Sequence, residues 1–352
     1  MKRILPVSIL ILCSLMSFAC TTFTLKDSTG NIVFGRNFDF PVGIGHIEIN
    51  DRGLQKTALI MPPEIPITWV SKYGSITFNQ AGKEFPYGGM NEAGLVIEQM
   101  WLGEAQYPDP DQRYGLNELQ WIQYQLDNSA TVKDVTDSDS LVRISKSATS
   151  LIHFLVSDAL GNTAAIEFIN GKMVIHEQNE LPFSVLSNCT YANSLLYKSS
   201  IDHRDNQEFN EWTKNSSGRF VTASRLISDY QNQEIVDYAW LILDSVAQPG
   251  STQWSIVYDI SGRKIHFSTS GNPQKQVLEM HRFDFSCSSD HLYANITDEI
   301  RGPEDFRKLT FEENFRVMDL VVSSVGFLQA HVTKEALTAS AGYFETVQCQ
   351  NP

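Results

Sequence analysis

The chain is 352 residues long, 42% hydrophobic and 19% charged, an ordinary globular composition large enough to bury a sizeable core in one domain or two. Its formal net charge of −14 argues against nucleic acid as a partner. Five cysteines are present, but no CxxC pair and no Cys/His cluster with zinc spacing, so a structural metal has no signature here.

The N-terminus carries Lys2 and Arg3, then an apolar run over 4–18, then Ala19, the layout of a cleaved export signal. Ser17 and Ala19 fit the small-x-small pattern for cleavage before Cys20, and the run is too short and too poorly flanked to span a bilayer. Loss of 1–19 removes two positive charges and takes the net charge from −14 to −16. No later stretch offers about 18 uninterrupted apolar residues, so the mature chain is expected to be soluble, in the periplasm or outside the cell.

Residues 21–40, TTFTLKDSTGNIVFGRNFDF, read as two strands around a turn at 27–31. A hairpin centred on 28–30 sets Cys20 opposite positions 36–38, which brings Arg36 and Asp39 beside the new N-terminus. On spacing alone those two charges read first as an ordinary surface ion pair on a hairpin. SKYGSITF is strand-like, and EFPYGGMNEAGLVIEQM reads as a glycine-containing turn leading into a strand. Leu116, Leu119, Ile122 and Leu126 recur at helical spacing, which predicts a helix over 116–126. Residues 151–177 read as three short strands with turns at Gly161-Asn162 and Asn170-Gly171. RFVTASRLISDY, opened by Arg219, and EIVDYAWLILDSVA read as helices, and 253–269 as a hairpin. Strands, then helices, then strands point to an α+β layered fold rather than alternating βαβ units. Residues 300–352 form a more polar tail with one helical stretch near 311–331 and no evident role.

Cys20 admits three readings. It could join Cys189, Cys287 and Cys349 in two disulfides, as secretion favours, although a single Cys287–Cys349 bridge leaves Cys20 for another use. It could carry lipid, as in a non-enzymatic envelope lipoprotein that binds acyl ligands. Lipoprotein signals favour an aliphatic residue three positions before the cysteine, however, where Ser17 stands, and Phe18 is large. Third, cleavage would place a free α-amine and a thiol on one residue. Their reference pKa values of about 8 and about 8.5 let the amine take the thiol proton without a histidine. Arg36 would favour the thiolate, and Asp39 could orient the amine.

The run Cys-Thr-Thr-Phe, then GRNFD (35–39), GGMNEAGL (88–95), VLSN (185–188) and SSGRF (216–220), resembles the choloylglycine hydrolase family. That family includes bile salt hydrolases and penicillin V acylases among the N-terminal nucleophile hydrolases. Each motif is weak alone, but five in order over 20–269 are specific, and SKYGS and TQWSIVYD are similar to its exported Gram-negative members. The resemblance implies a four-layer αββα sandwich over 20–352, the nucleophile at Cys20, and Arg36 and Asp39 beside it. It further implies an oxyanion donor at Asn188 and an arginine completing the network at Arg219. Trp101 stands where the family places a backbone oxyanion donor, usually Asn in bile salt hydrolases and Tyr in penicillin acylases, so it points to neither subgroup. It is a packing residue or a wall of an apolar acyl pocket.

The implied reaction is hydrolysis of a linear non-peptide amide with no cofactor or metal. Candidate substrates are penicillin V, a conjugated bile salt or an N-acyl homoserine lactone, and the family suggests a homotetramer. A degenerate member that keeps the fold without turnover is the remaining alternative. Asn188, Asn215 and Asn295 each begin a glycosylation sequon, which matters only in a eukaryotic secretory route. The eight histidines include no HExxH, and His153 and His176 in strand-like runs read as satisfied core residues.

Overall fold

The hairpin behind Cys20 is built by its turn. In the computed structural model, which describes residues 20–288 and 290–350, Asp27 accepts hydrogen bonds at 2.8 Å from the backbone N–H groups of Thr29 and Asn31. Gly30 takes a φ of 94°, a value that costs glycine nothing. The flanking strands Thr21–Lys26 and Ile32–Asp39 then pair antiparallel, Thr21 facing Asn37. Cys20 thus falls within the stretch expected from the spacing. The export signal expected at 1–19 lies outside the described residues.

Ile32–Asp39 is buried along its whole length because it is a central strand. It lies between Thr21–Lys26 and Thr252–Asp259 in a six-stranded sheet. A second sheet has nine strands, all antiparallel, with Val96–Trp101 between Ile152–Ser157 and Gly88–Asn91. Side chains alternate faces along a strand, and here both faces of the second sheet are dry. Val96, Met100 and Leu155 point into the core between the sheets, while Ile97, Phe154 and Val156 point to a second core. That second core is closed by the helix Glu118–Asn128 through Trp121, Ile122 and Leu126. On the far side of the six-stranded sheet, helices Glu211–Ser228 and Ile235–Val246 cover it with Phe220, Ala223, Trp240 and Leu243. The layers therefore run helix, sheet, sheet, helix, the αββα sandwich. Among the described residues no helix is long and apolar enough to cross a membrane.

Three differences from the sequence reading have physical causes. Tyr191–His203 is a helix that the pattern did not announce, because its buried positions include Ser194 and Ser200 while Leu196 and Ile201 are exposed, which blurs the apolar period; Thr190 caps it, its side chain accepting from the backbone N–H of Asn193. The helix carrying Arg219 starts at Glu211 behind an Asn210 cap, so Arg219 lies in its middle. The tail is three helices, Phe311–Ser324, Gly326–His331 and Lys334–Gly342, since the chain turns extended at Val325 and again before the Thr333 cap. It is tied down at its end, where Gln348–Cys349 pairs with Leu54–Thr57 and Cys349 is bridged to Cys287. Cys20 and Cys189 are free and buried.

Candidate active site

Cys20 immediately precedes the first strand and Asp39 ends its partner, so the hairpin register alone brings them together. The Cys20 side chain is 4% exposed, and its Sγ lies 3.9 Å from the Asp39 carbonyl oxygen. Burial pushes the thiol above its ordinary range, and the nearby Asp39 adds to this, while the Arg36 and Arg219 guanidinium groups oppose both. Burial likewise lifts Asp39 from 3.8 to about 6, against a hydrogen bond donated by the Thr252 hydroxyl and the pull of Arg219 and Arg36.

The two arginines are not alike. Arg36 is no surface residue: it is 1% exposed, lies over the Phe38 ring at 5.1 Å and donates to the Tyr87 carbonyl at 3.3 Å. Its ion-pair partner is Glu98 rather than Asp39. Glu98 also accepts from the Tyr258 hydroxyl, whose own ionisation is driven far up by burial. Arg219 reaches across from the middle of its helix, donating to the Cys20 carbonyl and the Thr21 hydroxyl through one terminal nitrogen. Its other terminal nitrogen donates to Asn188 Oδ1 at 3.2 Å.

That last bond fixes the orientation of the Asn188 amide. With Oδ1 accepting from a cation, Nδ2 must face the other way, where one of its two hydrogens goes to the Trp101 carbonyl at 2.9 Å. The segment behind Asn188 is held from two sides. Ser216 accepts from the Asn188 backbone N–H at 2.8 Å and donates to Ser187, which explains the serine one helical turn before Arg219 in SSGRF. His153 meets the Ser187 carbonyl at 2.7 Å with one ring nitrogen and Glu167 at 3.0 Å with the other. Glu167 also faces His176 and accepts from the Tyr191 backbone N–H, contacts that hold its carboxyl down at about 2 despite burial. His153 is thus a satisfied core residue, as its strand context suggested, while His176 is satisfied but half-buried.

The structure therefore gathers Cys20, Arg36, Asp39, Asn188, Arg219 and Trp101 at one place. The residues missed from sequence are Glu98, Thr252 and Tyr258. Glu98 did carry a signal: it alternates with Val96 and Met100 on the face turned to the inter-sheet core, where a lone carboxylate demands a buried partner. The paired glycines of GGMNEAGL belong to the same arrangement, since a Cβ at Gly88 would run into the Glu98 carboxylate.

Cys20 and Asp39 border a cavity of about 80 Å³ whose walls include Phe38, Phe40, Tyr87, Trp101 and Ile152. Trp101 meets Phe327 of the tail edge-on at 5.9 Å, so it is both a packing residue and a wall. Among the described residues no group of three or more His, Cys, Asp or Glu side chains is arranged to hold a metal ion.

A thiol, two guanidinium groups, a carboxyl and an oriented amide thus meet at the start of a central hairpin in an αββα sandwich, an arrangement compatible with an amidohydrolase. Residues 20–209 match the model of the linear amide C–N hydrolases, choloylglycine hydrolase family, and the chain belongs to that family. It is 25% identical to the penicillin V acylase of Pectobacterium atrosepticum, over 78% of this chain and 84% of that protein. The penicillin V acylase structure from Agrobacterium tumefaciens superposes with a TM-score of 0.70 at 26% identity, covering 83% of this chain and 98% of that one. A mutant of the conjugated bile acid hydrolase from Clostridium perfringens gives a TM-score of 0.64 at 16% identity, over 80% and 98%, a likeness of fold.

Proposed function

We propose that cleavage after Ala19 frees Cys20 as an N-terminal nucleophile that hydrolyses N-acyl amides with an apolar acyl group. The observation that carries this reading is the Cys20 thiol at the wall of an apolar cavity, with Arg36, Asp39 and Arg219 acting on it electrostatically and the Asn188 amide oriented by Arg219. The buried thiol favours its neutral form at rest, so a local base must remove the proton as attack begins, and the α-amine on the same residue is that base. Sγ bonds to the substrate carbonyl carbon, and the electron pair of the C=O moves to oxygen. The Asn188 Nδ2–H and a backbone N–H at Trp101 stabilise that oxyanion; donors of this kind each contribute roughly a hundredfold to a thousandfold in rate. The tetrahedral adduct collapses, the C–N bond breaks, and the leaving amine takes the proton from the α-ammonium. Water, deprotonated by the same amine, then attacks the Cys20 thioester and releases the acid.

Asp39 holds the amine in register, and Arg219, through its bond to the Cys20 carbonyl, fixes the nucleophile's backbone. The cavity walls suit the apolar acyl half of penicillin V, a conjugated bile salt or an N-acyl homoserine lactone. In the same reading 20–352 forms one exported domain that works as a homo-oligomer, which light scattering on the mature protein would test. Hydrolysis of these amides is expected to vanish in Cys20→Ser with the circular dichroism spectrum unchanged; retained turnover would overturn the mechanism.

A further inference from the structure

The tail, for which the sequence offered no role, borders the cavity beside Cys20. Val325, Phe327 and Leu328 complete its wall. A second cavity of about 540 Å³ lies beyond, and the two share Tyr87, Leu119, Ser150 and Leu328 as common lining. The first is the smaller, at about 80 Å³, and takes the part of the acyl group nearest the carbonyl. The second is several times larger. The Phe327 ring, edge-on to Trp101, stacks at 4.4 Å on the ring of His331, which lines the second cavity. An aromatic row thus leads from one to the other.

Apolar side chains gather there without a core to enter. Met61 is 78% exposed and borders the second cavity with Leu59, and Phe327 is 40% exposed. Glu118, the buried carboxyl in the same wall, is driven toward its neutral form by burial and already accepts from the Ser150 backbone N–H at 2.8 Å. The tail is anchored well enough to act as a wall: Asn314 accepts from the Lys83 N–H at 3.1 Å and donates to the Ala341 carbonyl at 2.8 Å, and the Tyr343 hydroxyl donates to the Thr57 carbonyl.

We propose that the second cavity binds the distal part of an unbranched acyl chain whose carbonyl lies at Cys20, and that Leu328 and Phe327 set the length and girth of the acyl groups accepted. This rests on the hydrolase reading above and adds the tail as its selector. Each methylene that leaves water is worth about fourfold in affinity, so in the unaltered enzyme kcat/KM climbs from a butanoyl through an octanoyl to a dodecanoyl amide of one common amine. Leu328→Trp fills the shared wall, and the ratio of kcat/KM for the dodecanoyl amide to that for the butanoyl amide then falls roughly tenfold or more. Phe327→Ala, at a partly exposed position the fold can spare, raises kcat/KM for an acyl group branched beside its carbonyl by about threefold or more.

Calorimetric binding of the same amides to the Cys20→Ala protein reads chain length without turnover, so the two proposals fail separately. Absence of hydrolysis with length-dependent binding, lost in Leu328→Trp, would sink the nucleophile reading and keep the selector. Hydrolysis in which Leu328→Trp affects butanoyl and dodecanoyl amides alike, and Phe327→Ala changes no acyl preference, would overturn the selector.

Discussion

The hairpin around Cys20 and the tail beyond 310 border one cavity and are held in opposite ways. The hairpin lies mid-sheet, and its polar side chains are locked by buried charge-assisted bonds: Arg36 to Glu98, Arg219 to Thr21, Thr252 to Asp39. The tail is three short helices, the first and last capped by Thr310 and Thr333, with one buried asparagine, a short strand pairing and a disulfide at its end. Substitution in the first region breaks networks in which each partner, once orphaned, stays buried. Substitution in the second exposes a little apolar surface and reshapes a wall. The same contrast separates the chemistry, which tolerates little variation in geometry, from substrate choice, which can drift.

The largest effect that sharpens this contrast falls on Arg219. Arg219→Ala removes the donors to Cys20, Thr21 and Asn188 together, and kcat is expected to drop about a hundredfold or more with secretion retained. An unchanged rate would remove Arg219 from the site. Next comes the ion pair between Arg36 and Glu98. Glu98→Gln leaves the Arg36 guanidinium buried without its counter-charge, and urea unfolding should show a loss of about 3–5 kcal/mol; a change below about 1 kcal/mol, the range of exposed pairs, would mean the pair is hydrated.

Asp39 supplies a pH test whose sign is set by its raised folded value. Folding lifts it from 3.8 to about 6, so the native state keeps a proton that the unfolded chain has lost across that interval. Its contribution to stability is therefore greatest below about pH 4 and declines as pH climbs to about 6, by at most about 3 kcal/mol. Asp39→Asn has no such proton to lose. Relative to that variant the wild type should lose urea resistance between those pH values, and parallel curves would contradict the burial of the carboxyl.

The smallest effect lies in the tail. Asn314→Ala leaves the Lys83 N–H and the Ala341 carbonyl without that partner, at about 1–3 kcal/mol. It should alter acyl preference more than the rate on a short acyl amide. A uniform fall in rate for all acyl groups would erase the distinction between the two regions.

Legibility in the sequence followed the same divide. The hairpin was readable because its turn chemistry, DSTGN, and its register are local, and the register alone carried Arg36 and Asp39 to Cys20. Asn188 and Arg219 were reached only through the family motifs, because strand and helix packing brings them in from 168 and 199 residues along the chain. Glu98 went unread although its period-two placement among Val96 and Met100 marked it, since a carboxylate in a strand is usually solvated. The order of the nine-stranded sheet was not legible either: His46–Asn50 pairs with Leu292–Asn295, and no local pattern encodes a partner that distant. The tail showed a helical period but not its breaks at Val325 and Thr333, and its bearing on the site depends on contacts with Trp101 that only the fold creates.

The central claim is that Cys20 acts as a free N-terminal nucleophile, and the most direct measurement is the intact mass of the mature protein, alone and acid-quenched during turnover of an N-acyl amide, with N-terminal peptide mapping. The account predicts a chain beginning at unmodified Cys20 and, in the quenched sample, one added acyl group on the Cys20 peptide. A lipid on Cys20, a different first residue, or an acyl group on another side chain would contradict it.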